Sequence, residues 1–156
     1  ATEIHHAVEG CTVAVVTGSN RECYENLKVR SSLYGAALRV MPYVRSMDIL
    51  MRAADLLVGK AGGMTASEAL AAGLPLILVD SLPGQERANA DYLCRQGAAS
   101  AAESVEEAAS IAKSLLSSRA MLSAMRRRAM EIARPNAAAA IAARILDECH
   151  ALAHRV

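Results

Sequence analysis

The sequence has no tryptophan and no phenylalanine, and four tyrosines supply its few aromatic rings. Proteins that bind single-stranded nucleic acid stack bases on aromatic side chains, so the composition disfavours that class of function. The net charge is only +1 at pH 7, which gives no overall attraction to nucleic acid or to an anionic membrane. We therefore expect no nucleic-acid partner.

Long apolar runs and closely spaced cysteines are also missing. No run approaches the roughly 20 apolar residues of a membrane-spanning helix, and the first residues lack the pattern of a signal peptide. The four cysteines are widely spaced without a C-x-x-C pair. This spacing predicts reduced intracellular thiols, two or more of them buried, and no zinc site. The chain opens at Ala1 rather than Met, so we expect a piece of a longer protein.

What is present is a pattern of short apolar runs that alternate with helical patterns. The 156 residues, 53% of them hydrophobic, suit one domain with a sizeable core. The alternation predicts an α/β fold, with a Rossmann-like parallel sheet and helices on both faces. The predicted strands are 11–18, 36–41, 55–59, 75–79 and 98–102, and the helices between them are 20–30, 46–54, 65–72 and 85–96.

From Ser104 onward the pattern is helical only. Ser104-x-x-Glu107 predicts a capping box that opens one helix, a second helix covers about 119–133, and Pro135 begins a third that reaches the C-terminus. These helices, about 104–154, are expected to belong to the same domain, which covers 1–156. Residues 1–10 are expected to include the tail of an earlier helix.

The loop 59–65 is the first candidate for chemistry, because ligands of open α/β sheets bind outside the carboxyl ends of the strands. It contains two adjacent glycines, Gly62 and Gly63, between a strand and a helix. One interpretation is a cradle in which backbone N–H groups and the helix dipole hold a phosphate or diphosphate. The other is a tight turn without a ligand.

Two further patterns also have two interpretations each. Thr65-x-x-Glu68 is either a capping box or places a carboxylate to accept hydrogen bonds from a ribose diol. Pro83-Gly84 predicts a turn. The polar residues of the first helical turn after it either interact favourably with the helix dipole or bind the hydroxyls of a sugar. Because these loops leave neighbouring strands, the three functional interpretations converge on one sugar nucleotide.

Residues 59–93, GKAGGMTASEALAAGLPLILVDSLPGQERANADYL, resemble the donor-binding motif of a family of GT-B glycosyltransferases. This family contains the monogalactosyldiacylglycerol synthases and the processive diacylglycerol glucosyltransferases, with MurG as a more distant relative. The flanks VTGSNRECYENL, RVMPYVRSMDILMRAADLLV and ARPNAAAAIAARIL agree, so the resemblance covers about 11 to 146.

The resemblance implies that the chain is the donor-binding half of an inverting enzyme. Such enzymes transfer a hexose from a UDP-sugar to a lipid hydroxyl, such as that of diacylglycerol, without a metal ion or another cofactor. The general base and the membrane-docking surface lie on an N-terminal acceptor domain, so no catalytic residue is expected in this chain, which alone would be inactive. The full-length protein would be cytoplasmic and peripheral on the membrane. Alternatives are MurG-like transfer of GlcNAc to lipid I and a non-catalytic nucleotide-binding module.

The resemblance also implies the site residues. Two departures accompany them: Ala61 stands where relatives often have Pro or Ser, and the family's first strand with its Gly-rich turn should precede residue 1. Asn20 falls near a turn that faces the donor in relatives. The implied nucleotide and diphosphate ligands are Met41, Tyr43, Val44, Gly62, Gly63, Met64, Thr65 and Glu68, and the implied sugar ligands are Gln85, Glu86 and Asn89.

Overall fold

The computed structural model describes residues 1–80 and 83–153 as short strands that alternate with helices, followed by helices alone. A single turn of 3₁₀-helix at Gly35–Ala37 precedes the second strand. The elements are α1 (Thr2–Ala7), β1 (Val13–Val16), α2 (Arg21–Ser31), β2 (Leu38–Met41), α3 (Met47–Ala53), β3 (Leu57–Gly59), α4 (Gly63–Ala71), β4 (Leu76–Val79), α5 (Gln85–Arg95), β5 (Ala99–Ala102), α6 (Val105–Leu116), α7 (Arg119–Ile132) and α8 (Ala137–Ala153).

All strand pairs in the described residues are parallel, as the alternating pattern predicted. β1 pairs with β2, and β4 lies between β3 and β5. Three consecutive residues of β4, Leu76 to Leu78, are at most 1% exposed. A parallel strand is covered on both faces by helices and therefore carries a continuous apolar run. The predicted Rossmann-like α/β fold is confirmed.

The core lies on both faces of the three-stranded sheet, because successive strand residues point to opposite faces. Leu76 and Leu78 pack with the apolar side chains of α4 and α5. Ile77 packs on the other face with Ala108 and Leu115 of α6. Many of the buried residues are alanines, whose small side chains let these helices lie close to the sheet.

The described strands form two sheets, with β1 and β2 in one and β3, β4 and β5 in the other. Val58 in β3 is 38% exposed and β1 has no fully buried residue, so these strands are less buried than β4. The strand and Gly-rich turn that the resemblance places before residue 1 stay a prediction.

Glycine and serine mark the helix ends largely as predicted. Gly73 follows α4 with a φ of 65°, and the N–H of Leu74 donates to the carbonyl of Ala69 at 2.8 Å, as in a Schellman motif. The capping box of α6 is confirmed: Ser104 accepts from the N–H of Glu107 at 3.0 Å. The Glu107 carboxylate reaches back to the N–H of residue 103 at 2.7 Å.

Three details differ from the sequence prediction. α4 begins at Gly63 with Gly62 as its N-cap, so the interpretation of Thr65 and Glu68 as a capping box is wrong. α8 begins two residues after Pro135. Residues 81 and 82 of the predicted loop 80–84, and the predicted end of α8 beyond residue 153, lie outside the described residues. The expectation of two or more buried cysteines is also wrong, because three cysteines are half-buried and Cys149 is exposed.

A membrane-spanning helix would be both long and strongly apolar. Across residues 1–80 and 83–153, no helix meets both conditions.

Candidate functional site

The carboxyl ends of β3 and β4 meet at one edge of the sheet. Gly59, the last residue of β3, pairs with Leu78 of β4. Lys60 and Asp80 are the first residues after the two strands, and Lys60 Nζ lies 3.1 Å from Asp80 Oδ2. The loop that contains the two glycines starts at this point and enters α4.

Gly62 and Gly63 do not need to be glycines for the turn itself. Gly62 has φ −64° and ψ 136°, which any L-residue adopts, and Gly63 does not have a positive φ. A Cβ atom added to either glycine would meet no heavy atom of the described residues within 4 Å. The open space beside the helix start is therefore accessible to a ligand, as the cradle interpretation requires, and the tight-turn interpretation does not explain the glycine pair.

Among the described residues, no acceptor pairs with the first backbone N–H groups of α4. The first N–H groups of a helix have no partner within the helix, and Gly62 provides no side-chain cap. By contrast, Asn20, Ser104 and Ser118 cap the starts of α2, α6 and α7 with side-chain oxygens. Uncapped N–H groups together with the positive end of the helix dipole form a surface that suits an anion.

The predicted ligands on α4 are accessible. Met64 is 79% exposed, and Thr65 and Glu68 are also exposed. Glu68 lies in the second turn of α4, about one and a half turns beyond the Gly62 cap. Its exposed carboxylate does not cap the helix, because the N-cap Gly62 takes part in no side-chain capping bond.

α5 begins at the same edge and is joined to the glycine loop by a hydrogen bond. Gly84, its N-cap, has φ 99° and ψ −131°, a conformation that glycine adopts easily. Gln85 is exposed, and Glu86 and Asn89 are half-buried. Asn89 Nδ2 donates to the carbonyl of Ala61 at 2.9 Å. The structure thus brings the glycine loop and the start of the helix after the Pro83-Gly84 turn together.

The resemblance also implies ligands in the loop after β2, which no hydrogen bond between described residues joins to the glycine loop or to α5. The Met41 carbonyl accepts from the backbone N–H of Thr17 at 2.9 Å and from its hydroxyl at 3.3 Å. Tyr43 is 70% exposed, and Val44 is half-buried. Within the described ranges, no hydrogen bond or ion pair joins residues 41–44 to α4 or α5.

Asn20, the remaining residue implied by the resemblance, has a structural role in the chain. Its Oδ1 accepts from the N–H of Cys23 at 2.9 Å and so caps α2. It also lines a surface depression of about 790 Å³ along α2, and a second depression, of about 400 Å³, lies between α1 and α6. Neither is lined by the glycine loop or by α5.

The described residues contain no group of three or more His, Cys, Asp or Glu side chains placed to hold a metal ion. Beside the loop, Lys60 carries a positive charge and is paired with Asp80, and the N–H groups at the start of α4 add partial positive charge.

Residues 4–145 match the family described as "Glycosyltransferase family 28 C-terminal domain". The chain is a member of this family.

Curated relatives and solved structures agree with this membership. The family 28 domain is 35% identical over 136 residues to a processive diacylglycerol beta-glucosyltransferase of Bacillus subtilis, which covers 87% of the chain and 36% of the relative. It is 36% identical over 150 residues to the protein of the same name from Bacillus cytotoxicus, covering 96% and 39%. The chain thus spans less than two fifths of the length of these relatives.

The structural neighbours show the same fold at lower identity. Acinetobacter baumannii MurG superposes with a TM-score of 0.70 at 23% identity, covering 94% of the chain and 44% of that protein. WaaG, a glycosyltransferase involved in lipopolysaccharide biosynthesis, gives a TM-score of 0.66 at 20% identity, covering 84% and 37%. These matches confirm the resemblance to GT-B glycosyltransferases.

Sequence reasoning did not anticipate two contacts of the family 28 domain: the Lys60–Asp80 ion pair and the bond from Asn89 to Ala61. Lys60 and Asp80 each come directly after a predicted strand, so their neighbouring positions could have been inferred from a parallel sheet. The Asn89 contact could not, because it depends on the angle at which α5 leaves the sheet.

Proposed function

We propose that this domain binds a UDP-hexose and that the longer protein transfers the hexose to a lipid hydroxyl such as that of diacylglycerol. The observation that carries the proposal is the glycine pair: neither Gly62 nor Gly63 has a backbone conformation, or a neighbour among residues 1–80 and 83–153, that requires glycine. Open space directly in front of uncapped helix N–H groups suits a diphosphate.

The other proposed ligands lie around this point in an order that matches a sugar nucleotide. Glu68 would accept hydrogen bonds from the ribose hydroxyls, and the polar side chains at the start of α5 would bind the hexose. The loop after β2 would receive the uracil with its backbone. The proposed contacts are Met41, Tyr43 and Val44 for the base, Gly62, Gly63, Met64 and Thr65 for the diphosphate, Glu68 for the ribose, and Gln85, Glu86 and Asn89 for the sugar.

The proposed reaction is a single displacement with inversion. The acceptor oxygen forms a bond to the anomeric carbon while the bond from that carbon to the UDP oxygen breaks. The hydroxyl proton passes to a base on the N-terminal domain, and the electron pair leaves with UDP. The N–H groups of residues 62–65 would stabilise the charge that develops on the diphosphate, so that no metal ion is required.

The lipid acceptor is proposed from the relatives. The two glucosyltransferases named for diacylglycerol are 35 and 36% identical to the chain, whereas MurG is 23% identical. These values favour diacylglycerol over lipid I as the acceptor class. The acceptor and the membrane surface would be bound by the N-terminal domain, which places the full-length protein on the cytoplasmic side of a membrane.

The proposal is tested by calorimetry with UDP and by a hexose transfer assay, using the full-length protein and the variant Glu68→Ala. We expect wild-type protein to bind UDP and transfer hexose, and Glu68→Ala to lose at least tenfold in UDP affinity with little change in stability. Glu25→Ala, which removes an exposed carboxylate from α2, is the matched control and should behave as wild type. The isolated domain should bind UDP weakly and transfer nothing.

Different failures have different meanings in this experiment. If folded full-length protein binds no UDP, the donor site is wrong. If it binds UDP but transfers no hexose to any lipid acceptor, the chain belongs to a non-catalytic nucleotide-binding module. If the isolated domain transfers hexose, the division of the active site between two domains is wrong.

A further inference from the structure

Among the described residues, one side-chain hydrogen bond joins the glycine loop, residues 59–65, to α5. Asn89 Nδ2 donates to the Ala61 carbonyl at 2.9 Å, across 28 residues of sequence. Ala61 is fully buried and Asn89 is half-buried. The bond is therefore partly shielded from water, and its acceptor lies directly before the N-cap of α4.

The position of this acceptor matters because of peptide geometry. The Ala61 carbonyl and the Gly62 N–H belong to one planar peptide unit, and in a trans unit they point in opposite directions. The described residues contain no cis peptide bond. A donor that holds the carbonyl on the α5 side therefore directs the Gly62 N–H to the other side of the same plane.

The loop also needs an anchor of this kind because it contains two glycines. Glycine loses more conformational freedom on ordering than any other residue, and a site that is ordered before its ligand arrives does not lose affinity to that ordering. In the part of the chain that the structure describes, no atom lies within 4 Å of the Cβ position of Gly62 or Gly63, so these contacts do not hold the loop.

From these contacts we infer that Asn89 is a positioning residue for the diphosphate, acting through Ala61 on the first N–H groups of α4. This inference rests on the proposed function, and it adds a role that a contact between Asn89 and the sugar would not provide. Among the described residues, no second hydrogen bond engages the Asn89 amide, so we propose that Oδ1 and the other N–H of Nδ2 bind a sugar hydroxyl.

The test compares three ligands that contain successively less of the donor: a UDP-hexose, UDP and uridine. Their affinities are measured by calorimetry on full-length wild-type protein and on Asn89→Asp, which keeps the shape of the side chain but removes the donor. Asn89→Ala serves as a second variant if the aspartate prevents folding, which circular dichroism monitors. Gln85→Ala, at the exposed first position of α5, is the comparison for a residue proposed to contact only the sugar.

If Asn89 positions the diphosphate loop, both Asn89 variants should lose about tenfold in affinity for UDP-hexose and for UDP, while uridine binding is unchanged. Gln85→Ala should weaken UDP-hexose alone. Loss confined to UDP-hexose in the Asn89 variants would make Asn89 a sugar contact and overturn the inference, as would unchanged affinity for all three ligands. Wild-type protein that binds neither UDP nor UDP-hexose would instead refute the proposed function, together with this inference.

Discussion

Lys60 and Asp80 join the carboxyl ends of β3 and β4 through an ion pair, with 3.1 Å between Nζ and Oδ2. Asp80 is also the only non-glycine residue with a positive φ in the described ranges, at 49°. Asparagine and aspartate tolerate this left-handed conformation better than other L-residues. The edge proposed to bind the donor thus combines an ion pair with a locally strained backbone.

We predict that the backbone at Asp80 matters more for stability than its charge. The side chains of Lys60 and Asp80 are 49% and 73% exposed, and exposed pairs contribute about 0–1 kcal/mol. Asp80→Asn should therefore change the free energy of unfolding by less than about 1 kcal/mol, whereas Asp80→Ala should lower it by a further 1–2 kcal/mol or so, because alanine tolerates a left-handed φ poorly. Urea unfolding of the three proteins measures both values, and equal stability of the two variants would contradict the left-handed assignment.

The glycine pair allows stability to be separated from binding. Alanine at Gly62 or Gly63 meets no neighbour and no forbidden φ, and Gly63 is the first residue of α4. Gly63→Ala should therefore leave the free energy of unfolding unchanged or raise it by about 0.4–1 kcal/mol. The same methyl group should weaken UDP binding at least tenfold, because it enters the space proposed for the diphosphate. Thermal unfolding and calorimetry on the same full-length samples measure the two effects, and unimpaired UDP binding would place the diphosphate elsewhere.

Gly84 should respond in the opposite way. Its φ of 99° and ψ of −131° lie in a region that L-residues rarely adopt, and such conformations cost of the order of 1–3 kcal/mol for a residue with a side chain. Gly84→Ala should therefore lower the stability by this amount even without a ligand, although no atom of the described residues lies within 4 Å of the added Cβ. Urea unfolding in parallel with Gly63→Ala is the measurement. Equal stability of Gly63→Ala and Gly84→Ala would contradict the prediction that the backbone conformation requires glycine at position 84 and not at position 63.

Much of the fold was predictable because its signals are local. The apolar run of β4, the glycine that ends α4 and the Ser104–Glu107 box each depend on residues close in sequence, and all three are confirmed. The start of α4 was misplaced because Thr65 and Glu68 satisfy the spacing of a capping box. The actual N-cap is Gly62, which has no side chain from which a cap could be predicted.

The site was less predictable because it depends on contacts between distant segments. The sequence placed two loops at one sheet edge, and the bond from Asn89 to Ala61 confirms that α5 and the glycine loop meet. The sequence could not indicate which atom of Asn89 forms the hydrogen bond. The position of residues 41–44 relative to α4 also depends on how the sheet of β1 and β2 lies relative to the sheet of β3, β4 and β5. No local sequence pattern predicts this arrangement.

Cys94 and Cys149 provide a test of packing that does not depend on the proposed function. Burial raises the pKa of the Cys94 thiol, and this is only partly offset by a backbone hydrogen bond from Ala101, whereas Cys149 is exposed. Since the thiolate is the nucleophile, iodoacetamide at pH 8 should label Cys149 well before Cys94, and mass spectrometry of timed samples measures the two rates.

Because the folded-state pKa of Cys94 lies above the unfolded value, the stability that Cys94 contributes is complete below the unfolded pKa and is lost as the pH rises through the folded pKa. Cys94→Ser should remove that part of the alkaline loss, and equal labelling rates for the two thiols would contradict the packing of Cys94 between α5 and β5.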